Sequence, residues 1–311
     1  MSMPEDGLKK YYLPLFGDVL VFSSDRPELL EKCLRWQYGE AVVVKPPEGF
    51  SGRESARLYV RRAGRLVRGS ADGEAEVLRL SDVNPGAVLC FNRKTGNAEA
   101  VFAGADFHED VRLFFTALVT FAQLVMRRRG YYVFHASAVA LRGAGVLIGG
   151  ANGCGKSTLM RRLLEAGAEY LADDAAVVDM RAKPFLIRRS PEILNGESLS
   201  PDAVKGLAGL GFRKTAGGHF LAPPAEPLAA PVAKVIFPAI VKEELSVVSL
   251  TNRDAFLKLL ELRRTPLERG GAAEFFEACA EMAEGAAVAE FLSPEGRIPS
   301  PEEAVRICES L

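Results

Sequence analysis

Residues 134–159 read FHASAVALRGAGVLIGGANGCGKSTL, and residues 171–178 follow as LADDAAVV. Within the first stretch, Gly150-Ala-Asn-Gly-Cys-Gly155-Lys156-Ser157 fits the pattern G-x-x-x-x-G-K-[ST] without a mismatch. The context agrees with the pattern. Val146-Leu-Ile148 is a short apolar strand that runs straight into glycines. A helix is expected from Ser157 to about Ala166, with Leu159, Leu163 and Leu164 on its inner side and Gly167 ending it. Glycines permit the tight curvature that aims successive N–H groups at phosphate oxygens. The helix N-terminus adds the positive end of its dipole. Lys156 neutralises β/γ oxygens, and the Ser157 hydroxyl ligates Mg2+. The segment therefore predicts a site for ATP with Mg2+, contacted by Gly150, Asn152, Gly153, Cys154, Gly155, Lys156, Ser157 and Thr158.

Working outward, Tyr170-Leu-Ala172 reads as the next short strand and ends in Asp173 and Asp174. Adjacent carboxylates at a strand end beside a phosphate loop suit a hydrated magnesium, a nucleophile, or both. Phosphoryl transfer to a hydroxyl also needs a carboxylate that accepts the proton and aligns the oxygen. Asp179, closing Ala176-Val-Val-Asp179, resembles a metal-binding strand end, and a surface strand end explains it equally well. Upstream, Tyr131 to Leu141 reads as one strand with His135 in its middle, either a core residue or a catalytic one. Arg142 to Gly145 forms the turn of a hairpin, which implies antiparallel neighbours and a mixed sheet.

The expected fold class is α/β, a P-loop catalytic domain with a mixed sheet preceded by a smaller α+β domain. Residues 1–105 form the accessory domain, 106–130 a connecting helix and 131–311 the catalytic domain. In the first region Asp18 to Phe22, Ala41 to Val44 and Arg57 to Val60 are strand-like, and a helix is expected between Asp25 and Trp36 with Ser24 or Asp25 as its cap. Leu113 to Met126 reads as a buried core helix. Arg127, Arg128 and Arg129 complement its dipole as a solvated end or, alternatively, form an anion patch, before Gly130. Residues 195–231 read largely as loop. Val232 to Val241 is a strand in which Pro238 marks an edge or a break, and 252–262 and 271–285 are helical.

Composition narrows the classes. The 311 residues carry a formal charge of −1, which gives no global reason to expect a nucleic-acid partner. Five scattered cysteines lack zinc or redox spacing. No apolar stretch reaches the roughly 20 residues that span a bilayer, and residues 1–12 lack an apolar signal-like run, so a cytoplasmic protein without a membrane partner is expected.

The order strand histidine, hairpin, P-loop and Asp-Asp strand end resembles the HPr kinase/phosphorylase family and its relatives, whose fold is akin to phosphoenolpyruvate carboxykinase. The resemblance implies that Asp173 is the general base for a target hydroxyl, that Asp174 acts near magnesium together with Ser157, and that His135 tunes the carboxylate. It is compatible with a homo-oligomer. The family's E-I-R-G-type segment is not recognisable where this chain reads IRRSPEILNGES, and Glu192 or Glu197 stands in there as a metal ligand. That departure points away from HPr as acceptor, and from the reverse phosphorylase reaction. It points toward a Ser/Thr of another protein or peptide, or a small hydroxylated metabolite. The basic, glycine-rich stretch from Gly206 to Phe220, with Arg213, Lys214 and His219, suits a lid over phosphates. The alternative to an Mg2+-dependent ATP kinase is a nucleotide-binding regulator or slow ATPase without an acceptor. A motor or a GTPase switch fits less well.

Overall fold

The computed structural model describes residues 8–16, 18–48, 56–62, 75–80, 87–102, 107–189, 201–209, 211–214, 220–221, 229–242, 244–264 and 271–311. The chain divides into two compact units, Met1–Arg129 with Pro266–Arg269, and Gly130–Thr265 with Gly270–Leu311.

The first unit runs β1 (Lys10–Leu15), β2 (Asp18–Ser24), α1 (Pro27–Tyr38), β3 (Ala56–Arg62), β4 (Ala75–Arg79), β5 (Val88–Asn92), β6 (Ala98–Phe102) and α2 (Phe107–Arg128). Its six strands lie in the order β1-β2-β3-β6-β5-β4, with β2, β3 and β6 parallel and the remainder antiparallel. The 3.6-residue periodicity of α2 buries Leu113, Phe114, Ala117, Leu118 and Phe121 completely, and Phe121 meets Phe22 edge to face at 5.7 Å. Ala41 to Val44 is not a strand. A single helical turn occupies Gly39–Ala41, and only Val43 bridges to Tyr12. The cap of α1 is Arg26, whose N–H the Ser24 hydroxyl takes at 3.0 Å. The arginines at the end of α2 divide: Arg128 and Arg129 are exposed, as a solvated helix end would be, whereas Arg127 is not. Arg127 is buried with Glu76 at 2.7 Å, and Arg128 donates to the Lys94 carbonyl.

The second unit opens with β7 (Tyr131–Phe134), β8 (Ala136–Leu141), β9 (Ala144–Gly149), α3 (Lys156–Glu165), β10 (Glu169–Ala172), β11 (Ala176–Asp179), β12 (Leu186–Arg188) and α4 (Pro201–Gly209). It continues with β13 (Arg213–Lys214), β14 (Phe220–Leu221), β15 (Ala229–Val241), β16 (Ser246–Ser249), α5 (Asn252–Glu261), α6 (Ala272–Gly285), β17 (Ala287–Pro294) and α7 (Pro301–Glu309). Nine strands form a mixed sheet with the path β10-β8-β9-β15-β12-β11-β7. β17 pairs along β15, and β16 along β17. β9, β15 and β17 are parallel, whereas β8 is antiparallel to both β9 and β10. The apolar face of α3, with Leu159, Met160, Leu163 and Leu164, packs on Val139, Val146, Ile148, Ile236 and Ile307. Each such buried side chain contributes about 1.5–3 kcal/mol, so the helix that follows the glycine-rich loop is firmly seated.

Two sequence expectations change here, and one narrows. Residues 131–141 are two strands, not one. β7 pairs with β11, β8 with β9, and the chain switches partners at His135, whose N–H donates to the Leu262 carbonyl at 2.6 Å. Pro238 does not break β15, and it lies at a local edge, because pairing to β9 has ended at Ile236 while β17 continues alongside. A residue without an N–H is tolerated where one side of the strand no longer has a partner. Within the stretch read as loop, 201–209 is helical and buries Leu207. No helix among the described residues is long and apolar enough to cross a membrane.

Candidate active site

The glycine-rich loop 150–155 links β9 to α3. Gly150 and Gly155 hold φ of 135° and 105°, values that an L side chain rarely adopts. Gly149, just before the loop, is needed for another reason: a Cβ there would stand 2.4 Å from the Leu262 side chain. Lys156 is buried, and its ammonium donates to the carbonyls of Gly150 (2.9 Å) and Ala151 (3.0 Å) and lies 3.4 Å from His135 Nε2. The loop thus closes on its own lysine.

Asp173 follows β10, on the far side of β8 from the loop strand. The fully buried Ser137 of β8 donates to its Oδ1 at 2.6 Å, and Ser157, in the first turn of α3, donates to the same oxygen at 3.1 Å. Burial pushes the Asp173 carboxyl above its ordinary range, and the nearby Asp174 charge adds to this. The two serine hydroxyls and Lys156 pull it the other way. Both hydroxyls converge on Oδ1, and among the described residues no hydrogen bond reaches Oδ2.

Asp174 is exposed and adopts a left-handed conformation, φ 66°. Arg264 holds it by donating to its carbonyl and to Oδ2, both at 2.8 Å. His135 Nδ1, a buried nitrogen with no hydrogen bond among the described residues, lies 3.1 Å from Asp174 Oδ1. Its Nε2 lies 3.0 Å from Asn152 Oδ1. His135 is therefore a bridge between the P-loop, Lys156 and Asp174. Its carboxylate contact is with Asp174, and it is Asp173, not Asp174, that shares a hydrogen bond with Ser157.

Among the described residues no group of three or more His, Cys, Asp or Glu side chains is placed to hold a metal ion. Magnesium asks for less, usually one or two carboxylates together with phosphate oxygens and water. Ser157, Asp173 and Asp174 are hard oxygen donors of that kind, so the set fits.

Asp179 is neither a metal-side carboxylate nor a surface strand end. It is buried at the end of β11, where Arg181 and Arg188 grip it at 3.0–3.1 Å. Arg213 and Lys214 form β13 and pair with β14, with Arg213 exposed. Glu192, Glu197 and His219 lie outside the described residues. Two residues that the sequence reading passed over join the site, Ser137 and Arg264. Ser137 carried a signal, a hydroxyl in an apolar strand two residues past His135, whereas Arg264 reaches Asp174 only through the fold.

No family model matches the chain. The HPr kinase/phosphorylase of Prosthecochloris aestuarii is 38% identical over 65 residues, 21% of this chain and 19% of that protein. That of Chlorobium phaeobacteroides is 35% identical over 71 residues, 23% of this chain and 21% of the relative. The matched stretch spans about a fifth of the length of these curated relatives. The solved Hpr(Ser) kinase/phosphatase from Coxiella burnetii is 18% identical, and the match covers 57% of this chain and 96% of that one at a TM-score of 0.30. Over about a fifth of its length, then, the chain is similar to HPr kinase/phosphorylases and divergent from them.

Proposed function

We propose that this protein is a magnesium-dependent ATP kinase that transfers the γ-phosphoryl group to a hydroxyl acceptor, either a Ser/Thr of a protein or peptide or a small hydroxylated metabolite. The observation that carries the reading is the 3.1 Å hydrogen bond from Ser157 to Asp173. It couples the metal-side hydroxyl of the P-loop to paired carboxylates at the neighbouring strand end. A module that only bound nucleotide would need the loop and not the pair.

Asp173 is the proton acceptor in this reading. Burial raises its proton affinity, which makes it a stronger base, and its Oδ2, with no hydrogen bond among the described residues, is available to an incoming hydroxyl. As the acceptor oxygen attacks the γ-phosphorus, its proton passes to that carboxylate and the bond to the ADP leaving group breaks. Lys156 and the loop N–H groups hold the transferring phosphoryl group in line. Ser157 and the Asp pair would hold Mg2+, which when bound neutralises charge on the phosphates. Asp174, exposed and clamped by Arg264, faces His135 and fixes that ring beside Lys156.

The relatives are named for HPr, so HPr belongs among the acceptors to be tried, although the IRRSPEILNGES segment departs from the family pattern. The test is transfer of radiolabelled γ-phosphate with ATP and Mg2+ to HPr, a host-cell extract and a panel of small hydroxylated metabolites. Label should move to an acceptor with the wild type and not with Asp173→Asn. Label released only as free phosphate, equally by both proteins, would sink the kinase reading.

A further inference from the structure

Two arginines follow one another on α3, and the fold treats them differently. Arg162 is paired with Glu165 at 2.6 Å. Arg161 is half-buried, and its Nε donates to the Ser157 carbonyl at 3.1 Å. The two terminal nitrogens of its guanidinium meet no carboxylate or other acceptor among the described residues. Arg161 stands four residues after Ser157, so the two side chains share one face of the helix. Its bond to the Ser157 carbonyl turns the guanidinium back toward the first helical turn. That face looks at Asp173, which takes the Ser157 hydroxyl at 3.1 Å. Burial holds the Arg161 guanidinium below its ordinary range and Arg162 adds to this, while the Asp173 and Glu165 charges act the other way.

A charge held away from part of its water is stabilised by an anion that completes its hydrogen bonds. Asp173 is not that anion, because its hydrogen bonds come from Ser137 and Ser157. In the proposed reaction the phosphate chain has its own partners at the helix start, the loop N–H groups and Lys156. Arg161 lies one turn farther along, on the side of the carboxylate. We propose that Arg161 is a specificity-determining residue on the acceptor side. The acceptor is then a small molecule that carries an anionic group, a carboxylate or a phosphate monoester, beside the hydroxyl that meets Asp173. The planar fork of a guanidinium matches two oxygens of either group. With the anion on Arg161 and the hydroxyl on Asp173, two fixed points orient the attacking oxygen. Both residues bond to the same serine, so the two groups they read sit close together in the ligand.

The proposal rests on the kinase reading and narrows its acceptor, and binding tests it apart from transfer. Isothermal titration is made on the full chain saturated with Mg2+ and adenylyl imidodiphosphate, which fills the γ position and leaves the acceptor side accessible. The probes are glycerate, glycerol 3-phosphate and glycerol, which share a hydroxylated skeleton and differ in charge. The better anionic probe should bind at least about tenfold more tightly than glycerol, the worth of one hydrogen bond to a charged group. The two anionic arms tell a carboxylate from a phosphate. Arg161→Gln should abolish the preference, and Arg161→Lys should keep part of it, charge without the fork. Both variants should bind the nucleotide analogue within a few-fold of wild type, which also shows that they fold. Glycerol binding as tightly as both anions, or a preference that survives in Arg161→Gln, would overturn the proposal. So would an equal loss of nucleotide affinity in Arg161→Gln, which would make the arginine a contact of the phosphate chain. Label passing to HPr or another protein at a rate that Arg161→Gln leaves unchanged would overturn it too, since that acceptor needs no guanidinium. Anion binding that depends on Arg161, with no transfer of label to any acceptor, would sink the kinase reading and leave the anion site standing. Failure of the nucleotide analogue to bind would bring down both.

Discussion

Asp173 and Asp179 both close short apolar strands of one sheet, and the chain surrounds them in opposite ways. Asp179 is packed between two guanidinium groups. Burial alone would raise its carboxyl, but the hydrogen bonds from Arg181 and Arg188 outweigh burial and hold it below the ordinary range. Asp173 has serine hydroxyls for partners, and there burial wins and the carboxyl is pushed up. A carboxylate neutralised by fixed cations is locked, and serves the sheet. A carboxylate whose partners are exchangeable hydroxyls keeps an uncompensated charge that a metal or a proton can answer, which is the usual signature of a working group.

That contrast is broken or sharpened first by amides at the two positions. Asp173→Asn should cut phosphoryl transfer about 10²–10⁴-fold, the worth of a positioned general base, with nucleotide affinity kept within a few-fold in a displacement titration. Asp179→Asn should leave transfer intact and lower stability by about 1–3 kcal/mol, because two guanidinium groups lose their charged acceptor. Urea unfolding measures this. If Asp179→Asn abolished transfer at unchanged stability, the two aspartates would have been assigned the wrong way round.

Smaller is the effect of Ser137→Ala. Removing the 2.6 Å bond to Asp173 takes away one neutral hydrogen bond, about 0.5–1.5 kcal/mol, so transfer should fall up to about tenfold. Ser137→Thr, which keeps the hydroxyl, should recover most of it. The pH–rate profile separates positioning from packing, since loss of a donor to the carboxylate should move its acidic limb to higher pH.

The P-loop, the helix behind it and the Asp-Asp strand end were legible in the sequence because each depends on residues within one short segment. His135 was visible as a residue but not as a break between strands, since the break is made by Leu262, far along the chain. Arg127 read as a helix end because its partner Glu76 comes from a distant strand. Asp179 looked like Asp173 because the arginines that separate them, Arg181 and Arg188, bear on it only once β11 and β12 pair. Local chemistry can be read from local sequence, whereas a group's electrostatic surroundings come from topology.

The smallest effect tests the comparison most directly, because it concerns the fold without any ligand. Asp173 has a folded-state pKa above its unfolded value. Its stabilising contribution is therefore complete below the ordinary aspartate range, near about pH 4, and is lost as pH rises through the folded value. Asp179 has a depressed folded-state pKa. Its contribution is present above that range and is lost as pH falls through the folded value. In metal-free, nucleotide-free protein at neutral pH, Asp173→Asn should thus be more stable than wild type by about 0.5 kcal/mol or more, the gain typical of relieving a functional strain. Asp179→Asn should be less stable. The Asp173 difference should shrink as the pH falls toward about 4, and the Asp179 difference as it falls below that, from opposite sides. Urea midpoints of the three proteins across that range would show it. Two variants shifted in the same direction at neutral pH would mean that the Asp173 charge is already compensated, and that the hydroxyl-bonded carboxylate is as locked as its guanidinium-bonded neighbour.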